Sequence, residues 1–181
     1  MSFGPVATIA RDSRLTRIAS DALDRHAIPF RATLFDKSPA TNWLIPWHQD
    51  TALPLAAPFD APGWGPWSRK SGVDYAHAPA WALDRVVALR LHLEDCHAQN
   101  GPLRVIAGTH RAGVLGDEQV VDEVQRHDAI ECLIGRGGVL AMRPLLIHSS
   151  SKVKSDAPRR VLHIEYADAL ELAPGIRLAV V

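Results

Sequence analysis

The sequence predicts a mainly β domain, a double-sheet barrel or jelly roll with a few flanking helices. Three observations lead there. Eight short runs rich in β-branched and apolar residues are punctuated by Gly, Pro, Asn and Asp. Only two stretches carry helical periodicity, too few to alternate with the strands as βαβ units require. And "AQNGPL" sets an Asn-Gly between two strand candidates, a hairpin signature.

In chain order, residues 1–28 read as an N-terminal helical segment. In "ARDSRLTRIASDALDRHA", Leu15, Ile18, Ala19, Ala22 and Leu23 recur at helical spacing behind Asp12 or Ser13 as cap. The start, "MSFGPVATIARD", has no basic n-region and no sustained apolar core, so no signal peptide is expected. After Pro29 come the strand candidates "FRATLFD" and "NWLIPWHQD". Residues 51–82, rich in Pro, Gly and Trp, read as a long loop. Loops of this length are usually functional or disordered, and three Trp argue for an ordered cover. Trp64 and Trp67 are candidates to line a pocket or form a lid, with packing as the alternative, whereas Trp43 and Trp81 read as packing. Arg69 and Lys70 are candidates for an anionic substrate group or are simply solvated. The strand runs "DRVVALRLHLED", "PLRVIAG", "AIECLIG", "GGVLAMRP", "LLIHSS" and "RRVLHIEYA" follow. "GDEQVVDEVQRHD" interrupts them as a surface helix.

At 181 residues the whole chain, 1–181, suits one domain with a core of its own. It is 47% hydrophobic and 22% charged, with a formal net charge of zero. No basic stripe recurs, so no nucleic-acid partner is expected, and apolar runs too short for a span give no membrane partner. Cys96 and Cys132 fall in strand-like segments rather than a paired framework. Reduced, buried thiols fit a cytoplasmic location.

The chemistry begins at "PWHQD". On a strand, residues two apart share a face, so His48 and Asp50 converge while Gln49 points away. His148, directly after an apolar run in "MRPLLIHSSS", is the candidate third ligand. Two His and one carboxylate with open positions form the facial triad of non-heme Fe(II) oxygenases. An HxD pair alone is a common accident. "HIE" at His163 and Glu165 has the same spacing, while His77, His92 and His97 read as surface or core residues. Arg159 lies eleven residues beyond His148, and Ser150 two beyond it. A guanidinium fork with a hydroxyl suits the distal carboxylate of 2-oxoglutarate. Arg160 is the competitor on the opposite face. Lys37 in "FDKSP" precedes a turn, and its role is open.

Taken together, "LFDKSP…NWLIPWHQD", "RLHLEDCHAQNGPLRVIAGTHRAG" and "GGVLAMRPLLIHSSS…SDAPRRVLHIEY", in that order over about residues 30 to 167, make the chain resemble the phytanoyl-CoA dioxygenase (PhyH) family of Fe(II)/2-oxoglutarate oxygenases. The resemblance implies a double-stranded β-helix, the jelly-roll or cupin-like barrel. It implies Fe(II) held by His48, Asp50 and His148, 2-oxoglutarate held by Arg159 and Ser150 with Thr33 and Arg90 nearby, and O2 as the second cosubstrate. The expected activity is hydroxylation of a small-molecule substrate. The family's asparagine between distal His and Arg is absent, and Ala107 replaces its proline. Asp50 disfavours halogenation, because related halogenases carry a small residue there. An inactive jelly-roll binding protein and a zinc hydrolase using the same three ligands are the alternatives. The first should lack a ligand or the arginine, and the second has no use for Arg159. The resemblance does not specify the prime substrate or the oligomeric state.

Overall fold

The structure, a computed structural model, describes residues 4–181. Of the N-terminal segment, residues 1–3 lie outside the described residues. The elements run α1 (Gly4–Ala10), α2 (Ser13–Leu23), β1 (Ile28–Lys37), β2 (Ile45–His48), β3 (Ala52–Leu55), β4 (Trp67–Lys70), β5 (Val73–His77), α3 (Ala80–Leu83), β6 (Val86–His92) and β7 (Leu103–Val105). A 3-10 turn (Thr109–Ala112) leads to α4 (Asp117–Arg126), β8 (Ile130–Cys132), β9 (Val139–Met142), β10 (His148–Ser150), β11 (Arg159–Ala167), β12 (Glu171–Ala173) and β13 (Ile176–Arg177).

Two four-stranded antiparallel sheets form the framework, in the orders β1-β11-β6-β9 and β2-β10-β7-β8. This is the jelly-roll arrangement the strand runs predict, with two sheets rather than a continuously closed barrel. Arg159, Val161, His163 and Glu165 of β11 point between the sheets. Leu162, Ile164 and Tyr166 point outward, where α1 and α2 cover them with Ala10, Leu15, Ala19 and Leu23. An eleven-residue helix is marginal alone. Burying Leu15 and Leu23, worth roughly 1.5–3 kcal/mol each, holds α2 in place. Its N-terminus is capped by Asp12, whose carboxylate accepts the Arg14 N–H at 2.9 Å. The expected face differs at one position, since Ile18 is exposed. On the second sheet, α4 packs Val120 onto Ile106 and Ile147.

Residues 51–82 are not a loop. They form a third sheet, β3-β5-β4, followed by α3. The strands escape a pattern search for physical reasons. β4 is exposed at all four residues and so has no alternation, while β3 is an edge strand that tolerates Pro54. The turn between β4 and β5 uses Ser71 and Gly72, both at positive φ, as a two-residue hairpin requires. Leu53, Leu55 and Ala76 seal one end of the sandwich with Phe30, Leu83 and Leu145. Trp64 and Trp67 stack edge-on against Phe59 at 5.1 and 5.2 Å, and Trp81 meets Trp64 at 6.1 Å. Trp64 packs against the core, whereas Trp67 and Trp81 keep an exposed face. Cys96 lies in the loop after β6 and Cys132 in β8, and both are free. No helix among the described residues is long and apolar enough to cross a membrane.

Candidate metal and cosubstrate site

Strand β10 pairs with β2 so that His148 faces His48 directly, bringing their rings to 4.2 Å. Asp50 lies two residues past the end of β2 rather than on it. Its backbone N–H donates to Pro144 O at 2.9 Å, which aims the carboxylate back at both imidazoles. Asp50 Oδ1 is 3.6 Å from His48 Nε2, and Oδ2 is 3.6 Å from His148 Nε2. Among the described residues these three side chains can hold a metal ion, their ligand atoms all lying within 4.8 Å of one another. The competing pair His163–Glu165 forms no such cluster.

Both tautomers are set by the backbone. His48 Nδ1 meets Pro46 O at 2.8 Å, and His148 Nδ1 meets Leu146 O at 2.8 Å. A carbonyl only accepts, so each Nδ1 carries a proton and each Nε2 is the nitrogen turned to the centre. Burial pushes the His148 ring toward its neutral form, while the carboxylate of Asp50 beside His48 pulls that ring the other way. Burial alone would raise Asp50; the hydrogen bond from His48 leads the interactions that overcome it and hold the carboxylate below its usual range. A fixed carboxylate and two aligned imidazole nitrogens suit a divalent cation.

These ligands open onto a cavity of about 190 Å³ that runs between the two sheets. Thr33, Phe35, Trp43, Arg90 and Arg159 also line it. Arg159 is 2% exposed, and its Nη2 donates to Ser150 Oγ at 3.2 Å. Its neighbour Arg160 points to solvent and pairs with Glu94. The expected face of Arg159, and with it Ser150, is the one the strand presents inward. Arg90 Nη1 donates to His163 Nδ1 at 3.1 Å, so His163 is neutral, with its ring pushed down to about 3 by burial. Thr33 sits across from His163 on β1.

The residue the sequence left open is Lys37. It is fully buried, in register with Arg159, and its ammonium donates to Ser150 Oγ and to Ser151 O, both at 2.8 Å. Burial, with Arg159 and Arg90 nearby, pushes it down to about 8. Lys37, Arg90 and Arg159 form a cationic end, and among the described residues no carboxylate is bonded to any of them. Nε and Nη1 of Arg159 and Nε of Arg90 are buried without a partner. Buried guanidinium donors left unpaired are costly. An anion with several acceptor oxygens would satisfy them, so the donor set fits a bound carboxylate.

A separate groove of about 780 Å³ runs between β2 and α4, lined by Trp47, His48, Val114, Leu115, Val120 and Val121 among others. Gln49, between the two ligands, does not face solvent. Its amide donates to Gly113 O at 3.0 Å and Leu145 O at 2.8 Å, and its Oε1 accepts Leu115 N–H at 2.8 Å. It ties the approach to α4 onto the metal strand.

A protein-family model described as phytanoyl-CoA dioxygenase (PhyH) matches residues 6–161. An L-proline trans-4-hydroxylase of Streptomyces griseoviridis is 27% identical over 147 residues, 67% of this chain and 47% of that protein. Two solved structures share the fold at a TM-score of 0.66. AviO1 from Streptomyces viridochromogenes Tue57 is 22% identical, the match covering 93% of this chain and 63% of that one. EctD from S. alaskensis with 2-oxoglutarate and 5-hydroxyectoine is 20% identical, covering 92% and 53%. The chain thus spans about half the length of the curated relative it matches.

Proposed function

Because the chain belongs to the phytanoyl-CoA dioxygenase (PhyH) family, we propose that it is an Fe(II)- and 2-oxoglutarate-dependent dioxygenase hydroxylating an unactivated C–H bond of a small molecule. The observation that carries this reading is one cavity holding a His48–Asp50–His148 cluster and a cationic end with which no carboxylate among the described residues forms an ion pair. We read residues 1–181 as one oxygenase domain. The L-proline trans-4-hydroxylase and the 2-oxoglutarate complex of EctD support a small-molecule substrate and this cosubstrate. The free thiols Cys96 and Cys132 support a reducing, cytoplasmic setting.

When bound, Fe(II) with 2-oxoglutarate and O2 supplies the oxidising chemistry, in which the diacid becomes succinate and CO2 and a substrate C–H becomes C–OH. The chain's residues do the rest. His48, Asp50 and His148 are the residues that would hold the metal. Arg159, Ser150 and Lys37 grip the distal carboxylate of the diacid, with Arg90 and Thr33 beside it. The Leu146 and Pro46 carbonyls fix the imidazoles, and the enclosing sheets keep bulk water from the reacting atoms.

Anaerobic titration with Fe(II) and 2-oxoglutarate tests this. A weak visible charge-transfer band should develop, and Arg159→Ala should weaken 2-oxoglutarate by about a hundredfold, the worth of a buried bidentate ion pair near 3 kcal/mol. No band in the wild type, or an unchanged titration in the variant, overturns the reading. A zinc hydrolase has no need of the cationic end and would give neither result.

A further inference from the structure

We propose that Arg31 and Glu165 form the polar subsite for the prime substrate, and that this substrate is a small zwitterion carrying both an ammonium and a carboxylate. The inference rests on the oxygenase reading and deepens it. Arg31 on β1 and Glu165 on β11 are register partners, both facing the cavity that contains His48, Asp50 and His148. Arg31 Nη1 lies 3.1 Å from Glu165 Oε2, yet without the alignment of a hydrogen bond, and that oxygen is buried with no other partner. Glu165 is 6% exposed; Arg31 retains a part-exposed guanidinium, stacked at 5.3 Å on the Tyr75 ring of the covering sheet. A guanidinium and a carboxyl group, the latter raised to about 7 by burial against the pull of Arg31, thus sit in the cavity wall with an acceptor oxygen to spare.

The cosubstrate cannot be what they serve. Lys37 and Arg31 are six residues apart on one strand, about 20 Å at roughly 3.4 Å per residue. Five carbons joined by bonds of about 1.5 Å span less than about 8 Å, so a diacid gripped at Lys37 and Arg159 ends far short of Arg31. The pair stands at the opposite end of the site from the cosubstrate grip, where the molecule to be oxidised must lie.

Charge then selects the substrate. A plain anion drawn to Arg31 would be repelled by Glu165, and a plain cation drawn to Glu165 would be repelled by Arg31. A ligand that inserts a carboxylate at Arg31 and an ammonium at Glu165 exchanges one poorly aligned ion pair for two charge-assisted hydrogen-bonded contacts. A neutral molecule would leave the pair to itself and gain nothing from it.

The test uses the Fe(II)- and 2-oxoglutarate-loaded protein without oxygen. The common L-amino acids are titrated by calorimetry, each beside its N-acetyl and methyl-ester derivatives. At least one free amino acid should bind, and capping either end should weaken it by about tenfold or more. Glu165→Gln should weaken the free amino acid by a similar factor and spare its N-acetyl derivative, while Arg31→Gln spares the methyl ester. Neither change should move 2-oxoglutarate affinity, read from the visible band. Equal binding of capped and free forms, no binding by any amino acid while the 2-oxoglutarate band forms, or indifference to Glu165→Gln overturns the proposal. A wild type that shows no band overturns the oxygenase reading instead. Should either variant fail to fold, the comparison of capped with free ligands on the wild type still decides.

Discussion

Replacing Lys37 by methionine separates a residue kept for the fold from one kept for an anion. In the ligand-free chain, burial and the neighbouring Arg159 and Arg90 bring the ammonium from 10.5 down to about 8. At 1.36 kcal/mol per pH unit, holding it charged at neutral pH costs about 3 kcal/mol. Met of similar length removes that cost, but forfeits the donations to Ser150 Oγ and Ser151 O, worth roughly 1–3 kcal/mol each where a buried acceptor is left bare. The two effects offset in part, leaving between about 1 kcal/mol of stabilisation and about 3 of destabilisation, so Lys37→Met should move the melting temperature of the ligand-free protein by no more than about 12 °C. Binding should suffer in either case. A charge-assisted contact to a carboxylate is worth roughly 1.5–3 kcal/mol, so the dissociation constant for 2-oxoglutarate rises about ten- to a hundredfold.

The pH dependence has a definite sign. The folded value lies below the unfolded one, so between about 8 and 10.5 the unfolded chain binds more protons and wild-type stability rises with pH through that window. A bound dianion raises the lysine again. Binding above pH 8 therefore takes up a proton, and the affinity falls by up to about tenfold per pH unit there. Both slopes should vanish in Lys37→Met. Calorimetric titration at several pH values, with thermal melts alongside, measures all of this. An unchanged affinity in the variant, or a collapse of the ligand-free fold, refutes the argument that the cluster exists for an anion.

Gln49→Ala should strip partners from Gly113 O, Leu145 O and Leu115 N–H, costing about 3 kcal/mol and lowering the melting temperature by roughly 6–12 °C; a melt within about 2 °C of wild type would show the clamp to be idle. Gly101→Ala places a Cβ 2.5 Å from Ser151 O on a backbone at φ +70, where the chain also accepts the Ser150 hydroxyl through Gly101 O. It should cost about 1–3 kcal/mol and weaken 2-oxoglutarate with it, and a variant that titrates normally counts against the role of Ser150.

How far the sequence reached follows the range of its signals. His48, Asp50 and His148 were legible because period-two spacing and one apolar run locate them, and β10 pairing with β2 completes the triad. Arg159 was chosen over Arg160 by offset alone, and the strand's inward face agrees. The covering sheet at 51–82 was not legible. An exposed edge strand and a proline-bearing one carry no alternation, and their pairing depends on a turn whose sequence, Ser-Gly, is a weak marker. The spacing places Gln49 on the face away from the ligands but not what it holds there, because its partners are backbone groups of distant segments that leave no trace in side-chain spacing.

One signal was present and pointed the other way. In "RRVLHIEYA" the positions Leu162, Ile164 and Tyr166 make the apolar face, and Arg159, His163 and Glu165 the polar one. For a strand with one wetted face the apolar side belongs inside. Here it lies outside, because α1 and α2 cover it, and the polar side lines the cavity. Strand β1 repeats the inversion, with Arg31, Thr33, Phe35 and Lys37 inward. A strand that turns charges inward must offset their desolvation with something, and the described residues supply few counter-groups: three cations cluster at one end and one loosely met ion pair stands at the other. Local patterning fails at a functional cavity because ligands, not side chains, complete its electrostatics. The same inversion therefore identifies Lys37, Arg31 and Glu165 as ligand-facing, which neither motif spacing nor burial alone could do.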